Sequence, residues 1–158
     1  MAGVRIPIRI RSIDAILREE HGSVRQLTVD ERKVLRSFAR AMELYIEDHW
    51  PVDTGDSRDG WRSQAFGTLS NEIDGIGILI VNLVSYTSYV RRSGELATGA
   101  GVLWIRLVTE ARDIFRDPLL AAMREEIRQT EARLAAGADF LDILQQSFRP
   151  RVERVAIG

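Results

Sequence analysis

The chain has 158 residues, enough for one domain with a sizeable core, and its 45% hydrophobic and 28% charged residues are ordinary for a globular protein. A formal net charge of -1 gives no global pull toward nucleic acid or an anionic membrane. The absence of cysteine excludes disulfides, thiolate catalysis and cysteine-ligated zinc.

The opening residues MAGVRIPIRIR alternate apolar and basic positions. Arginines interrupt the isoleucines, so the stretch does not read as a signal peptide. Val4, Ile6, Ile8 and Ile10 against Arg5, Arg9 and Arg11 predict a strand, and Pro7 confines it to a sheet edge or an extended arm over residues 1–11. Ser12 to Glu20 predicts a short helix closed by His21-Gly22. Thr28-Val-Asp-Glu31 is a capping box, with hydroxyl and carboxylate each meeting an orphan backbone N–H. From it Val34, Leu35, Phe38, Met42, Tyr45 and His49 recur at threes and fours, predicting a long helix to Asp48 with His49 partly buried on its apolar side. Trp50-Pro51 stops it.

Trp61 to Phe66 and the apolar run Ile76 to Val84 predict two strands, with turn chemistry over Asn71 to Gly75. The run is too short to span a membrane, which takes about 20 residues. Tyr86 and Tyr89 follow, then Arg91-Arg92-Ser93-Gly94 and a glycine-rich loop to Val102. Between Val102 and Thr109 the pattern fits a strand or the first turns of a helix; alternation of Leu103, Ile105 and Leu107 favours strand. Asp117-Pro118 reads as the entry to a helix ending near Gly137, Asp139 to Phe148 as a further short helix stopped by Pro150, and RVERVAIG as a final edge strand. The order predicts one α+β domain: a long helix, an antiparallel sheet of about three to five strands, and C-terminal helices packed on it.

HWPVDTGDSRDGW, His49 to Trp61, invites a chemical reading. A calcium loop needs alternating oxygen ligands and a glutamate at its twelfth position. Here Asp53, Asp56 and Asp59 stand three apart, and the twelfth position from Asp53 is Gln64. No base or nucleophile motif adjoins the acids, so a hydrolase using them ranks below a polar turn. Neither His21 nor His49 has a partner at metal-ligand spacing, no GxSxG surrounds a serine, and GIGILI and GAGV lack phosphate-loop spacing. The expectation is therefore no enzyme, no cofactor and no metal. Arg91 and Arg92 beside Tyr86 and Tyr89 combine basic and stacking groups, which sets up an alternative reading as a nucleic-acid-associated protein.

A helix running into Pro51, Asp53, Thr54 and Gly55 is followed by Ser57, Arg58 and Trp61 at the entry to a strand. A second strand carries Val81-Asn82, then Tyr86 and Tyr89 before Val90; Phe115 and Pro118 come later. This order resembles the tail-completion, or neck, proteins of tailed bacteriophages, the head–tail joining group that includes the minor tail protein Z type. The resemblance covers about residues 30–130, with 28–136 as the family-like core and 137–158 outside it. One departure is Arg91-Arg92-Ser93-Gly94, where the family often has Glu-x-Gly-Thr. The resemblance implies a non-catalytic virion protein assembled in the bacterial cytoplasm. It would form a ring, a hexamer by family expectation, between connector or stopper proteins and the tail terminator or tube. Genomic DNA would pass through without sequence recognition, and no membrane would be involved. Val4, Arg5, Ile6, Ile8, Arg9 and Ile10 would serve as a subunit-contact arm. Lys33 is the sole lysine among 22 basic residues, which fits a GC-rich genome or arginine-heavy subunit contacts.

Overall fold

The computed structural model describes residues 3–51, 55–68, 75–84, 87 and 102–157. The elements are β1 (Val4–Arg9), α1 (Arg11–His21), α2 (Val29–Asp48), a single-turn α3 (Gly55–Asp59), β2 (Trp61–Phe66), β3 (Gly77–Asn82) and α4 (Leu103–Ile157). The class is α+β, with one antiparallel sheet in the order β1-β3-β2.

The continuous apolar run occupies the central strand. Register places Val4 and Trp61 on either side of Asn82, Ile6 and Ser63 beside Ile80, and Ile8 and Ala65 beside Ile78. These positions share one face by the two-residue period, and α2 packs against that face. The opposite face carries Arg5, Arg62 and Gln64, all exposed. β1 is an edge strand as its alternation predicts, but it pairs along its length with this chain's own β3 rather than standing off as an arm. Gly77 is required at the start of β3, since a Cβ there would lie 2.2 Å from the Ile8 carbonyl oxygen.

α1 ends where Gly22 takes a left-handed conformation, φ 99°, and its N–H bonds the Arg18 carbonyl at 3.0 Å. α2 begins at Thr28 with both halves of the capping box formed: Glu31 N–H to Thr28 Oγ1 at 3.2 Å, and Thr28 N–H to Glu31 Oε1 at 2.8 Å. Leu35, Ala39, Met42 and Ile46 bury its inner face. His49 is exposed rather than partly buried: it stacks on Tyr45 at 4.2 Å and sets Nδ1 2.8 Å from the Tyr45 carbonyl.

The C-terminal third departs from expectation. Val102–Thr109 contributes no strand, helix entry is not at Asp117-Pro118, and neither Gly137 nor Pro150 ends the helix. One helix runs from Leu103 to Ile157 and includes the RVERVAIG stretch up to Ile157. The deciding signal is a four-residue interval: Leu103, Leu107, Ala111, Leu119, Met123 and Ile127 are all buried, with Phe115 packed against the core between them, whereas Ile105 is exposed. Alternation over the first few residues concealed that period. Four residues overshoot a helical turn slightly, so this seam winds around α4, and α4 accordingly meets both α2 and α1. Pro118 is exposed, so the Ile114 carbonyl deprived of its N–H partner lies on a side water can reach.

Ion pairs line the seam between α1 and α4. Arg124 reaches Glu19 at 2.6 Å, Arg128 reaches Glu20 at 2.8 Å, and His21 Nδ1 lies 2.9 Å from Glu131. The deepest group is Glu31, whose side chain is fully buried. Arg25 donates to both of its oxygens, at 2.6 and 2.8 Å, and also to Glu131 at 3.0 Å, tying α2 to α4. Burial alone would raise the Glu31 pKa. Hydrogen bonds from Arg25 and the Thr28 N–H outweigh it and hold the carboxyl below its ordinary range.

Candidate functional site

Trp50, Ser57 and Trp61 gather at the end of β3, around Asn82. Pro51 follows the terminus of α2, and α3 supplies one helical turn where the sequence suggested only a bend. Arg58 closes α2 from outside: its Nε donates to the Glu47 carbonyl at 3.1 Å, setting a cation at the negative end of the helix dipole. Arg62 donates to the Asp59 and Trp61 carbonyls at 2.8 and 2.7 Å. The Trp50 and Trp61 rings, both buried, meet edge to face at 5.1 Å.

Beneath the tryptophans lies a buried polar network. Trp50 Nε1 donates to Ser57 Oγ at 2.9 Å, Ser57 Oγ lies 2.8 Å from Thr87 Oγ1, and Thr87 Oγ1 donates to Asn82 Oδ1 at 3.1 Å. A hydroxyl carries one proton. If Thr87 gives its proton to Asn82, Ser57 must give its own to Thr87, and every bond in the chain points one way. Asn82 closes the circuit, donating Nδ2 to the Ser57 carbonyl at 2.5 Å while Oδ1 also accepts the Val84 N–H at 3.0 Å. Ser57, Asn82 and Thr87 are each fully buried.

Among the described residues the network includes no carboxylate, imidazole or amine. Its groups satisfy one another, and its chemistry is that of a lock: α3, the end of β3 and Thr87 are held in one arrangement. Asn82→Ala would leave the Ser57 carbonyl with only its 3.3 Å bond from the Gly60 N–H, and would strip the Val84 N–H and the Thr87 hydroxyl of their bonds to Oδ1. The expected cost is about 2–3 kcal/mol, read as a lower urea midpoint with an unchanged slope. A loss under about 0.5 kcal/mol would mean the lock contributes nothing to the fold.

Of the residues singled out in the sequence, Pro51, Gly55, Arg58, Trp61, Val81 and Asn82 converge here or on the neighbouring strand. Arg5, Arg9 and the β1 isoleucines lie on the far side of β3 from Trp61. Asp53, Thr54, Tyr86, Tyr89, Val90, Arg91, Arg92 and the glycine loop before Val102 lie outside the described residues, as does most of the turn before Gly75. Thr87, central to the network, gave no signal in the sequence: a threonine between two tyrosines drew attention only to the rings. Among the described residues no group of three His, Asp or Glu side chains is placed to hold a metal ion, and no helix is long and apolar enough to cross a membrane. No known family, curated protein or solved structure matches this chain.

Proposed function

We propose that this chain is a structural protein of a tailed-bacteriophage virion, a subunit of a neck ring that completes the tail and joins it to the DNA-filled head. The observation that supports this reading is the convergence of its motif residues. The turn after the long helix and the Val-Asn strand carry the neck-family resemblance from separate parts of the sequence, and Ser57 and Asn82, 25 residues apart, bond directly through buried groups. A closed polar lock suits a part that must hold its shape rather than turn over a substrate. Its partners on this reading are other copies of itself, connector or stopper proteins toward the head, and the terminator or tail tube below. DNA passes through the ring without base readout.

The test is direct. Purified protein examined by negative-stain microscopy and sedimentation should form closed rings, alone or when mixed with purified tails, and should co-sediment with those tails. A strict monomer at high concentration that leaves tails unbound would overturn the reading.

A further inference from the structure

Past Glu131, which still pairs with Arg25 and His21, α4 turns to solvent. Every residue from 132 to 143 is exposed, including Leu134, Phe140, Leu141 and Ile143 at 55–60%. The helix continues to Ile157, so this half extends roughly 39 Å at about 1.5 Å per residue. The exposed stretch 132–143 alone runs roughly 18 Å at about 1.5 Å per residue, and its four large apolar side chains call for a cover. One stretch of the helix is one-sided in charge: between Leu134 and Phe148 the only ionisable residues are Asp139 and Asp142, with Arg133 and Arg149 flanking them. Asp139, Phe140, Asp142 and Ile143 fall within roughly 160° of arc at about 100° per residue, so two acids and two large apolar groups share one side.

The same molecule carries a surface of the opposite character. Between β1 and the first half of α4 runs a groove made of two adjoining depressions that share Ile8, Arg9 and Arg112. Its floor is apolar, with Ile6 and Val108 toward one end and Phe115 and Leu119 toward the other. Arg9, Arg11, Arg112 and Arg116 stand along it, and no Asp or Glu is among its described lining residues. Asp14 holds Arg9 at 2.6 Å and Asp113 lies 3.5 Å from Arg112, while Arg11 and Arg116 make no ion pair among the described residues. At one end the groove deepens into a cavity of about 120 Å³, near the roughly 150 Å³ that accepts a benzene ring.

We propose that the 134–146 stretch of α4 docks into the β1–α4 groove of a second copy of this chain. Phe140 and Ile143 enter the apolar floor, and Asp139 and Asp142 face Arg112 and Arg116. The stretch 134–146, apolar with acids as its only charges, and a groove with an apolar floor and arginines along it are complementary in charge and polarity. The contact is heterologous: helix and groove are different surfaces of one chain, so each docked copy offers a free groove or a free helix to the next. Such contacts close into rings or propagate as filaments. The inference supplies a subunit contact for the neck ring and rests on that reading only for what the assembly does.

The experiment uses the full chain and two variants, each altered only at exposed residues. One carries Phe140→Glu with Ile143→Glu, the other Arg112→Glu with Arg116→Glu. Circular dichroism should show both folded. Analytical ultracentrifugation should show wild type assembling beyond a dimer and each variant losing at least about 30-fold in self-affinity. Mixed together, the intact helix of the second variant should fill the intact groove of the first, and assembly should stop at two chains. A wild type that stays monomeric overturns the proposal. So does a groove variant that assembles like wild type, which would mean that projecting helices pair with each other. If rings form but survive both substitutions, this contact is wrong and the neck reading stands. If the contact holds but the particles neither close nor bind tails, the neck reading is wrong and the contact stands.

Discussion

Arg25→Met is expected to cost about 3–5 kcal/mol, among the largest losses available from a single substitution in this chain. The reason lies in Glu31. Its carboxylate is fully buried and receives two bonds from Arg25 and one from the Thr28 N–H. Removing the guanidinium strands a negative charge where water cannot reach it. Adding Glu31→Gln to the Arg25 variant should restore much of the loss, because a glutamine still completes the capping box and carries no charge. The pH dependence has a fixed sign. Glu31 and Glu131 are both held below the ordinary value of 4.5; burial opposes the shift, while bonds from Arg25, and from His21 in the case of Glu131, outweigh it. A depressed folded-state pKa contributes stability above the unfolded value and loses it as pH falls through the folded one. The gap between wild type and Arg25→Met, measured by urea denaturation, should therefore be widest near neutral pH and narrow below about 4.5. A gap that stayed constant down to about pH 3 would show that the pairing is not its source.

Trp61→Ala comes next, at about 3–5 kcal/mol. Trp61 is fully buried at the start of β2, pairs in register with Asn82, and packs edge to face on Trp50. Truncation opens a cavity at the point where the chain leaves α3 for the sheet, beside the Ser57–Asn82 lock. Trp61→Phe separates packing from polarity. The indole Nε1 is buried without a hydrogen-bond partner among the described residues, so removing it abolishes no bond. The phenylalanine variant should stay within about 1.5 kcal/mol of wild type. Calorimetric melting of the three proteins side by side would decide the matter; an alanine variant melting with wild type would mean the two tryptophans are ornaments on the fold.

Most of this architecture is legible in the sequence wherever a local signal agrees with the tertiary one. β1 shows a clean two-residue period, α2 a capping box and a regular apolar face, and β3 an apolar run of strand length. α4 fails that test for physical reasons. Pro118 and Gly137 read as breaks, yet the proline falls on an exposed side of the helix and nothing approaches a Cβ position at Gly137. The four-residue seam that fixes the helix is plain only when followed from Leu103 through Ile127 rather than over its first turns. The candidate site was half legible. Trp50, Ser57, Trp61 and Asn82 belong to recognisable stretches, but their joining through Thr87 is a long-range fact with no local trace. The same holds for Arg25, whose two glutamate partners lie 6 and 106 residues away.

The strand order β1-β3-β2 carries a consequence for how the chain is made. β1 leaves the ribosome before its partner in the sheet, β3, which is synthesised about seventy residues later. At roughly 5–20 residues per second, the interval is about 4–14 seconds. Throughout it, Ile6 and Ile8 and the backbone donors and acceptors that will face β3 lack that partner. β2, already emerged, does not pair with β1 in the finished sheet, so the two outer strands must wait for the middle one. In a cell producing many copies at once, that window is when neighbouring nascent chains meet. The prolyl ring of Pro7 then protects the chain before it is folded: with one backbone N–H missing, β1 is a poorer template for another chain's strand while it waits for its own.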